Sequence, residues 1–154
     1  MPRIVSDLVD TYLFRKINAR PQFLVLRRRA DSPQGDKWQS IHTRVATGET
    51  AITAARRDIQ SSTGLIPVRF YTADYISQFY DHASDSIVLA PTLAAQINPK
   101  SPITVAPEFS DYAWCDLEET TSRLIYSAQR WAVRHIYDVI AMGGEESDVY
   151  AIES

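Results

Sequence analysis

Thr47-Gly48-Glu49-Thr50 opens a helix whose apolar positions Ala51, Ile52, Ala55 and Ile59 recur at helical spacing, and Gly64 closes it after Thr63 as the C′ residue. A helix with one apolar stripe must lie against something, and the flanking segments predict a sheet. Val9 to Phe14 and Phe23 to Leu26 are β-rich runs, expected to form an antiparallel pair with a surface connection over residues 15–22. Ala30 to Lys37, with Ser32, Pro33 and Gly35, reads as a loop, and Trp38 to Val45 as room for a short strand. Val68 to Phe79 and Ile87 to Ile97 read as strands, while Pro99, Pro102 and Pro107 make residues 98–107 mostly loop. Tyr112 to Cys115 is a short apolar run, and Asp116 with Glu119 forms an N-cap box for a small helix. A second amphipathic helix is expected from Ala128 to Ala141, with Trp131, Val133, Ile136, Val139 and Ile140 as its apolar members and Gly143-Gly144 as its end. The expected fold class is α/β (α+β), a mixed sheet between helices, in a single domain over residues 1–142. Glu145, Glu146, Asp148 and Glu153 make residues 143–154 an acidic tail, expected to be mobile.

Composition narrows the function classes. Hydrophobic residues at 45% and charged residues at 23% are those of a globular chain with enough apolar surface to offset its entropy. A net charge of −3 argues against a general nucleic-acid or anionic-membrane binder. Cys115 is the single cysteine, which excludes an intrachain disulfide and a cysteine zinc cluster and leaves a small buried hydrophobe. Met1 to Asp10 carries Arg3, Asp7 and Asp10 rather than a signal peptide's apolar run, and no stretch approaches the roughly 18 apolar residues of a membrane span. The expected location is therefore cytoplasmic. His42, His82 and His135 share no metal-ligand spacing, and no phosphate-binding glycine loop, nucleophile elbow or dinucleotide fingerprint is present.

The chemistry is concentrated between Trp38 and Leu65. This segment resembles the Nudix box, G-x5-E-x7-R-E-U-x-E-E-x-G-U with U bulky and apolar: Glu49 matches the first glutamate, Arg57 the arginine, Ile59 an apolar position and Gly64-Leu65 the closing pair. The flanks agree, with Phe23-Leu24-Val25-Leu26-Arg27-Arg28, Lys37-Trp38-Gln39, Phe79-Tyr80-Asp81, Pro107-Glu108 and Gln129-Arg130 in step. The chain is thereby similar to the Nudix branch of dATP and dihydroneopterin-triphosphate pyrophosphohydrolases over roughly Asp7 to Val139. The resemblance implies a Nudix-type α/β/α sandwich, a nucleotide-like small-molecule ligand and a possible homodimer. It also implies Mg²⁺ or Mn²⁺ as cofactor if the chain is active, and none otherwise. In the family, Glu49 and Arg57 match a pair that braces the loop against the helix.

The same alignment exposes departures. Positions 58, 61 and 62 lie on adjacent turns of the helix, where the family carries three glutamates around Mg²⁺, a hard cation that takes carboxylate oxygens. This chain has Asp58, Ser61 and Ser62 there, Thr43 in place of the first box glycine, and Ala46 where an acid is common. Asp58 is one methylene shorter than glutamate, a change in reach of about 1.5 Å. Two neutral hydroxyls do not replace two anionic ligands. At about 1.5–3 kcal/mol for each charge-assisted contact, metal binding is weakened by several kcal/mol.

Asp58 and Glu108, the latter matching a family glutamate outside the box, remain as candidate catalytic residues and weak metal ligands. Arg28, Lys37 and Arg44 are candidate phosphate contacts, since guanidinium and ammonium groups suit phosphate. Trp38, Phe79 and Tyr80 are candidates for stacking on a planar ligand, with Trp38 and Tyr80 taken as the site residues. Two functions stay open: a binding module with impaired hydrolysis because Ser61 and Ser62 replace metal-binding glutamates, or a slow metal-dependent pyrophosphohydrolase using Asp58 and Glu108.

Overall fold

The computed structural model describes residues 1–152; Glu153 and Ser154 lie outside the described residues. One mixed sheet organises the chain. Strand β1 (Arg3–Val5) and strand β2 (Leu8–Ile17) both run parallel to β7 (Ser86–Gln96). β2 also pairs antiparallel with β3 (Arg20–Arg28) and, at its start, with β5 (Ile41–Arg44). The long path is β4 (Trp38–Gln39), β3, β2, β7, β6 (Arg69–Asp81) and β9 (Ala151–Ile152), with β8 (Phe109–Cys115) also on β3. Helix α1 (Ala51–Thr63) covers one face. Helices α2 (Leu117–Arg123) and α3 (Ser127–Ile136) cover the other. This is the expected mixed sheet between helices.

Strand alternation builds both layers from the same residues. Val9, Leu13, Leu24 and Leu26 turn toward α1 and meet Ala54, Ala55 and Ile59. Their neighbours Tyr12, Phe14, Phe23 and Val25 turn the other way onto Ala132, Val133 and Ile136 of α3. Each fully buried large side chain contributes about 1.5–3 kcal/mol. Ala54 and Ala55 carry no bulk, so α1 lies close to the sheet.

The capping signals of α1 are realised. Thr50 Oγ1 accepts from the Thr53 N–H at 3.2 Å, and Gly64, at φ 73°, donates its N–H to the Gln60 carbonyl at 2.8 Å. Gly48 opens the helix at φ 80°. Asp116 caps α2 by accepting from the Glu119 N–H at 2.8 Å.

Four expectations change. The connection between the first two long strands is not residues 15–22 but Asn18-Ala19, both at positive φ, so the hairpin continues almost to its tip. Residues 38–45 form two strands, because Ser40 breaks the run and its hydroxyl donates to the Thr11 carbonyl on β2. The late helix ends as α3 at Ile136 and continues through a π-helical turn, Tyr137–Ala141. The acidic segment is built into the fold as far as it is described: Gly144–Tyr150 is a 3₁₀ turn, Ala151–Ile152 pairs with Tyr71 and Phe70, and Asp148 takes a hydrogen bond from Arg69 at 3.1 Å. The physical reason is pairing: Asp148 meets a cation, and Ala151–Ile152 meet the edge of β6. Among the described residues no helix is long and apolar enough to cross a membrane.

Candidate functional site

Adjacent residues of β5 point to opposite faces, and this alternation separates two patches. Thr43 turns toward α1, where the box carboxylates of the family belong. Its hydroxyl donates to Asp58 Oδ2 at 2.6 Å, and Ser62, one helical turn beyond Asp58, donates to Oδ1 at 2.7 Å. Both donors are buried, at 3% and 4% exposure. Three departures from the box are thus one hydrogen-bonded unit, in which hydroxyls occupy both oxygens of the surviving carboxylate. Ser61 is not part of it; it is exposed and bonds back to the Asp58 carbonyl at 3.2 Å.

Glu108 follows a loop that is pinned to the end of α1. The Thr104 and Ala106 N–H groups donate to the carbonyls of Thr63 and Ser62 at 3.1 and 2.9 Å. Glu108 itself is exposed, and its main-chain carbonyl accepts from the Arg29 N–H at 3.1 Å. Among the described residues no three acidic, histidine or cysteine side chains are grouped to hold a metal ion. With Asp58 satisfied by two hydroxyls, the donor set on this face does not fit the family's Mg²⁺ site.

The bracing pair is intact. Arg57 donates from Nε to Glu49 Oε2 and from a terminal nitrogen to Oε1, both at 2.9 Å, and also to the Arg44 carbonyl at 3.1 Å. Glu49 Oε1 further accepts from the Ala46 N–H at 3.0 Å. The Arg57 guanidinium, then the Ala46 N–H, holds the Glu49 carboxyl down at about 2. Loop and helix are locked together without any metal.

Under the start of α3, where β3 pairs with β4, lies a cleft. Arg28 and Lys37 line its outer part, about 240 Å³, with Trp38, Gln39 and His42. Arg28 donates from Nε to Gln39 Oε1 at 3.0 Å and stands 5.0 Å over the Phe109 ring. Two of the expected cations are therefore together. Arg44 is not with them: it is exposed and paired with Asp7. Trp38 lines the cleft, but its ring already carries the Arg123 guanidinium at 4.3 Å and that of Arg27 at 5.8 Å. Tyr80 is displaced from the expected place, because alternation along β6 turns Phe79, with Ser77, toward the cleft. The Tyr80 hydroxyl instead donates to Asp85 at 2.8 Å in the following turn.

His42 and Asp10 were the residues that sequence reasoning undervalued. Their signal was faint: one acid inside an apolar strand run, and one histidine beside Thr43. They stand opposite each other in the β2–β5 register, with His42 Nδ1 2.7 Å from Asp10 Oδ1. His135 donates from Nε2 to the Ala73 carbonyl at 2.6 Å and so ties α3 to the irregular stretch of β6.

A family model described as the NUDIX domain matches residues 9–137. Among solved structures, the C. elegans Ap4A hydrolase is similar at 19% identity and a TM-score of 0.73, covering 89% of this chain and 98% of that one. The MutT protein from Methanosarcina mazei Go1 is similar at 18% identity and a TM-score of 0.70, over 90% and 97%. The E. coli dihydroneopterin triphosphate pyrophosphohydrolase reaches 20% identity and a TM-score of 0.67, over 86% and 94%. These identities speak for the fold. No curated protein sequence matches the chain.

Proposed function

The chain belongs to the Nudix domain family, and from that premise we propose that it binds a nucleotide or another diphosphate-containing ligand with the family's magnesium-dependent hydrolysis impaired. One observation carries the reading: Thr43 and Ser62 donate to both oxygens of Asp58. A single carboxylate that already accepts from two buried hydroxyls, without neighbouring acids, offers a hard divalent cation one charge and only the lone pairs the hydroxyls leave. Binding is supported separately by Arg28 and Lys37 lining one cleft, where a phosphate meets two cations without needing a metal. Two similar solved structures, an Ap4A hydrolase and a dihydroneopterin triphosphate pyrophosphohydrolase, support the ligand class and not the loss of turnover.

Within this reading Glu49, Arg57 and Gly64 keep the loop and helix in shape, and no reaction step is assigned to them. The cytoplasm is the proposed location, and neither nucleic acid nor membrane is a proposed partner. A homodimer is compatible with the fold and is not required by the site.

The test is release of phosphate and pyrophosphate from a nucleotide panel including dATP and dihydroneopterin triphosphate, with Mg²⁺ and with Mn²⁺, beside equilibrium binding of the same compounds. Binding without turnover is expected. Metal-dependent release that disappears in Glu108→Gln would instead establish a working enzyme built on Asp58 and Glu108. A further arm replaces Thr43 by Gly and Asp58, Ser61 and Ser62 by Glu together. That variant is expected to take up Mn²⁺ where the wild type does not.

A further inference from the structure

The cleft has a second compartment beyond the cations. It measures about 380 Å³ and is lined by Leu8, Phe79 and Tyr126 together with Asp10, His42 and Gln129. His42, Tyr126 and Gln129 line both compartments, so the two are one cleft with His42 and Gln129 at the junction.

The hydrogen bonds fix what that junction presents. A carboxylate only accepts, so the 2.7 Å contact to Asp10 places the hydrogen on His42 Nδ1. In the neutral ring Nε2 then keeps its lone pair and accepts from the Gln129 side-chain nitrogen, 3.3 Å away. The Tyr12 ring meets His42 edge to face, with centroids 6.4 Å apart at 85°, and restricts its tilt. The pair is largely withdrawn from water, with His42 26% and Asp10 14% exposed. Packing alone does not call for this, since apolar side chains would fill the same place without desolvating a carboxylate.

We propose that His42 and Gln129 form a specificity-determining pair that reads an N–H on the edge of a planar heterocycle. The ring lies against Phe79 and Tyr126, and its anionic substituent rests on Arg28 and Lys37. Asp10 is the positioning residue that holds Nε2 as an acceptor. The proposal rests on the binding reading above and adds the chemical class of the ring and the residues that select it. The contact between Nε2 and Gln129 is long enough for a ligand N–H to replace, with the Gln129 amide then free to donate to a ring nitrogen.

Three probes separate the parts: ATP, purine riboside triphosphate (which lacks only the exocyclic amine) and inorganic tripolyphosphate, each titrated by calorimetry in the presence of a chelator. The wild type is expected to bind ATP at least tenfold tighter than purine riboside triphosphate, because losing the amine leaves a desolvated acceptor unpaired. In His42→Leu that ratio falls to within about twofold while tripolyphosphate affinity holds. Arg28→Ala weakens all three probes. Asp10→Ala lowers the ratio, and Asp10→Asn, whose amide oxygen still accepts from Nδ1, restores it. Nitrogen-15 spectra of the His42 ring at pH 9 are expected to show the Nδ1–H tautomer. Unchanged tripolyphosphate binding shows that the His42 and Asp10 variants are folded. A wild-type ratio near one, or a ratio that His42→Leu leaves intact, overturns the proposal while the binding reading survives. A wild type that binds neither ATP nor tripolyphosphate overturns both.

Discussion

Ser62→Ala removes one of the two hydroxyls that hold the Asp58 carboxylate and so tests whether the hydroxyl network is a structural unit. A hydrogen bond to a charged group contributes about 1.5–3 kcal/mol, and alanine returns roughly 0.5 kcal/mol of helix propensity at a position inside α1. The expected destabilisation is therefore about 1–2.5 kcal/mol. Thr43→Val keeps the shape in β5 and removes the other donor, with an expected loss of about 1.5–3 kcal/mol. Asp58→Ala leaves the buried Thr43 hydroxyl without its partner, while Ser62 falls back on its own helix carbonyl. One orphaned hydroxyl corresponds to about 1–3 kcal/mol.

The three positions share one carboxylate, so the effects should not add. Once both donors are gone, the half-buried carboxylate turns to water, and the double variant Thr43→Val/Ser62→Ala should fall short of the sum by at least about 0.5 kcal/mol. Urea denaturation at pH 7 with an unchanged slope measures each value. Single variants that all stay within about 0.5 kcal/mol of wild type, the range of inert surface changes, would refute the reasoning. Asp58 would then be free for a cation, and the case against the box metal site would fall with it.

Acid titration provides a second check. The Arg57 and Ala46 donors hold Glu49 at about 2 in the folded chain against an ordinary 4.5, so the folded state binds that proton less readily than the unfolded one. The stabilisation is complete above about 4.5 and is lost as pH falls toward 2; Glu49→Gln should flatten this part of the acid limb of the urea midpoint, and an unaltered limb would refute the assignment. Gly64→Ala meets open space but a φ of 73°, so the expected loss is purely conformational, about 1 kcal/mol, read as a lowered Tm. Burial, then the Glu119 carboxylate that accepts from it at 3.0 Å, pushes the Cys115 thiol up to about 12, and native protein should therefore leave a disulfide reagent unreacted at pH 8 until it is unfolded.

Helix α1 was legible in the sequence because every signal that makes it is local: a threonine cap, a stripe of alanine and isoleucine, a glycine at positive φ. The β2–β3 turn was not, because its second residue is Ala19 at φ 66°, and alanine is no turn signal. The acidic segment misled for a different reason. Its charge predicts solvation, yet Asp148 is answered by Arg69, 79 residues earlier in the chain. Of Phe79 and Tyr80 only Phe79 reaches the cleft, and the sequence could not choose between them because alternation cannot be phased without a register. The β6–β7 register shifts between Thr72 and Ile76, where Asp74 sits at φ 54°. In the site, each missing ligand could be read one residue at a time. That Thr43, Asp58 and Ser62 satisfy one another could not, since it needs β5 to be laid across α1.

That mutual satisfaction bears on what kind of change the box has undergone. A cluster of glutamates on one helix face repels itself and depends on a cation to be stable there. Carrying aspartate and two serines where the family has three glutamates, with a further hydroxyl from Thr43, removes the repulsion and the dependence together. The patch becomes a staple between strand and helix that is complete without an ion. One residue earlier on the same strand, His42 faces the other way and keeps its polar partners at the edge of an open cleft. Strand alternation thus lets the α1 face close without touching the His42 side of the sheet, so in the proposed reading ligand binding does not depend on metal chemistry. Stiffening the Thr43–Asp58–Ser62 staple even supports the cleft, because β5 carries both Thr43 and His42, and a fixed Thr43 fixes the backbone from which His42 reaches Asp10.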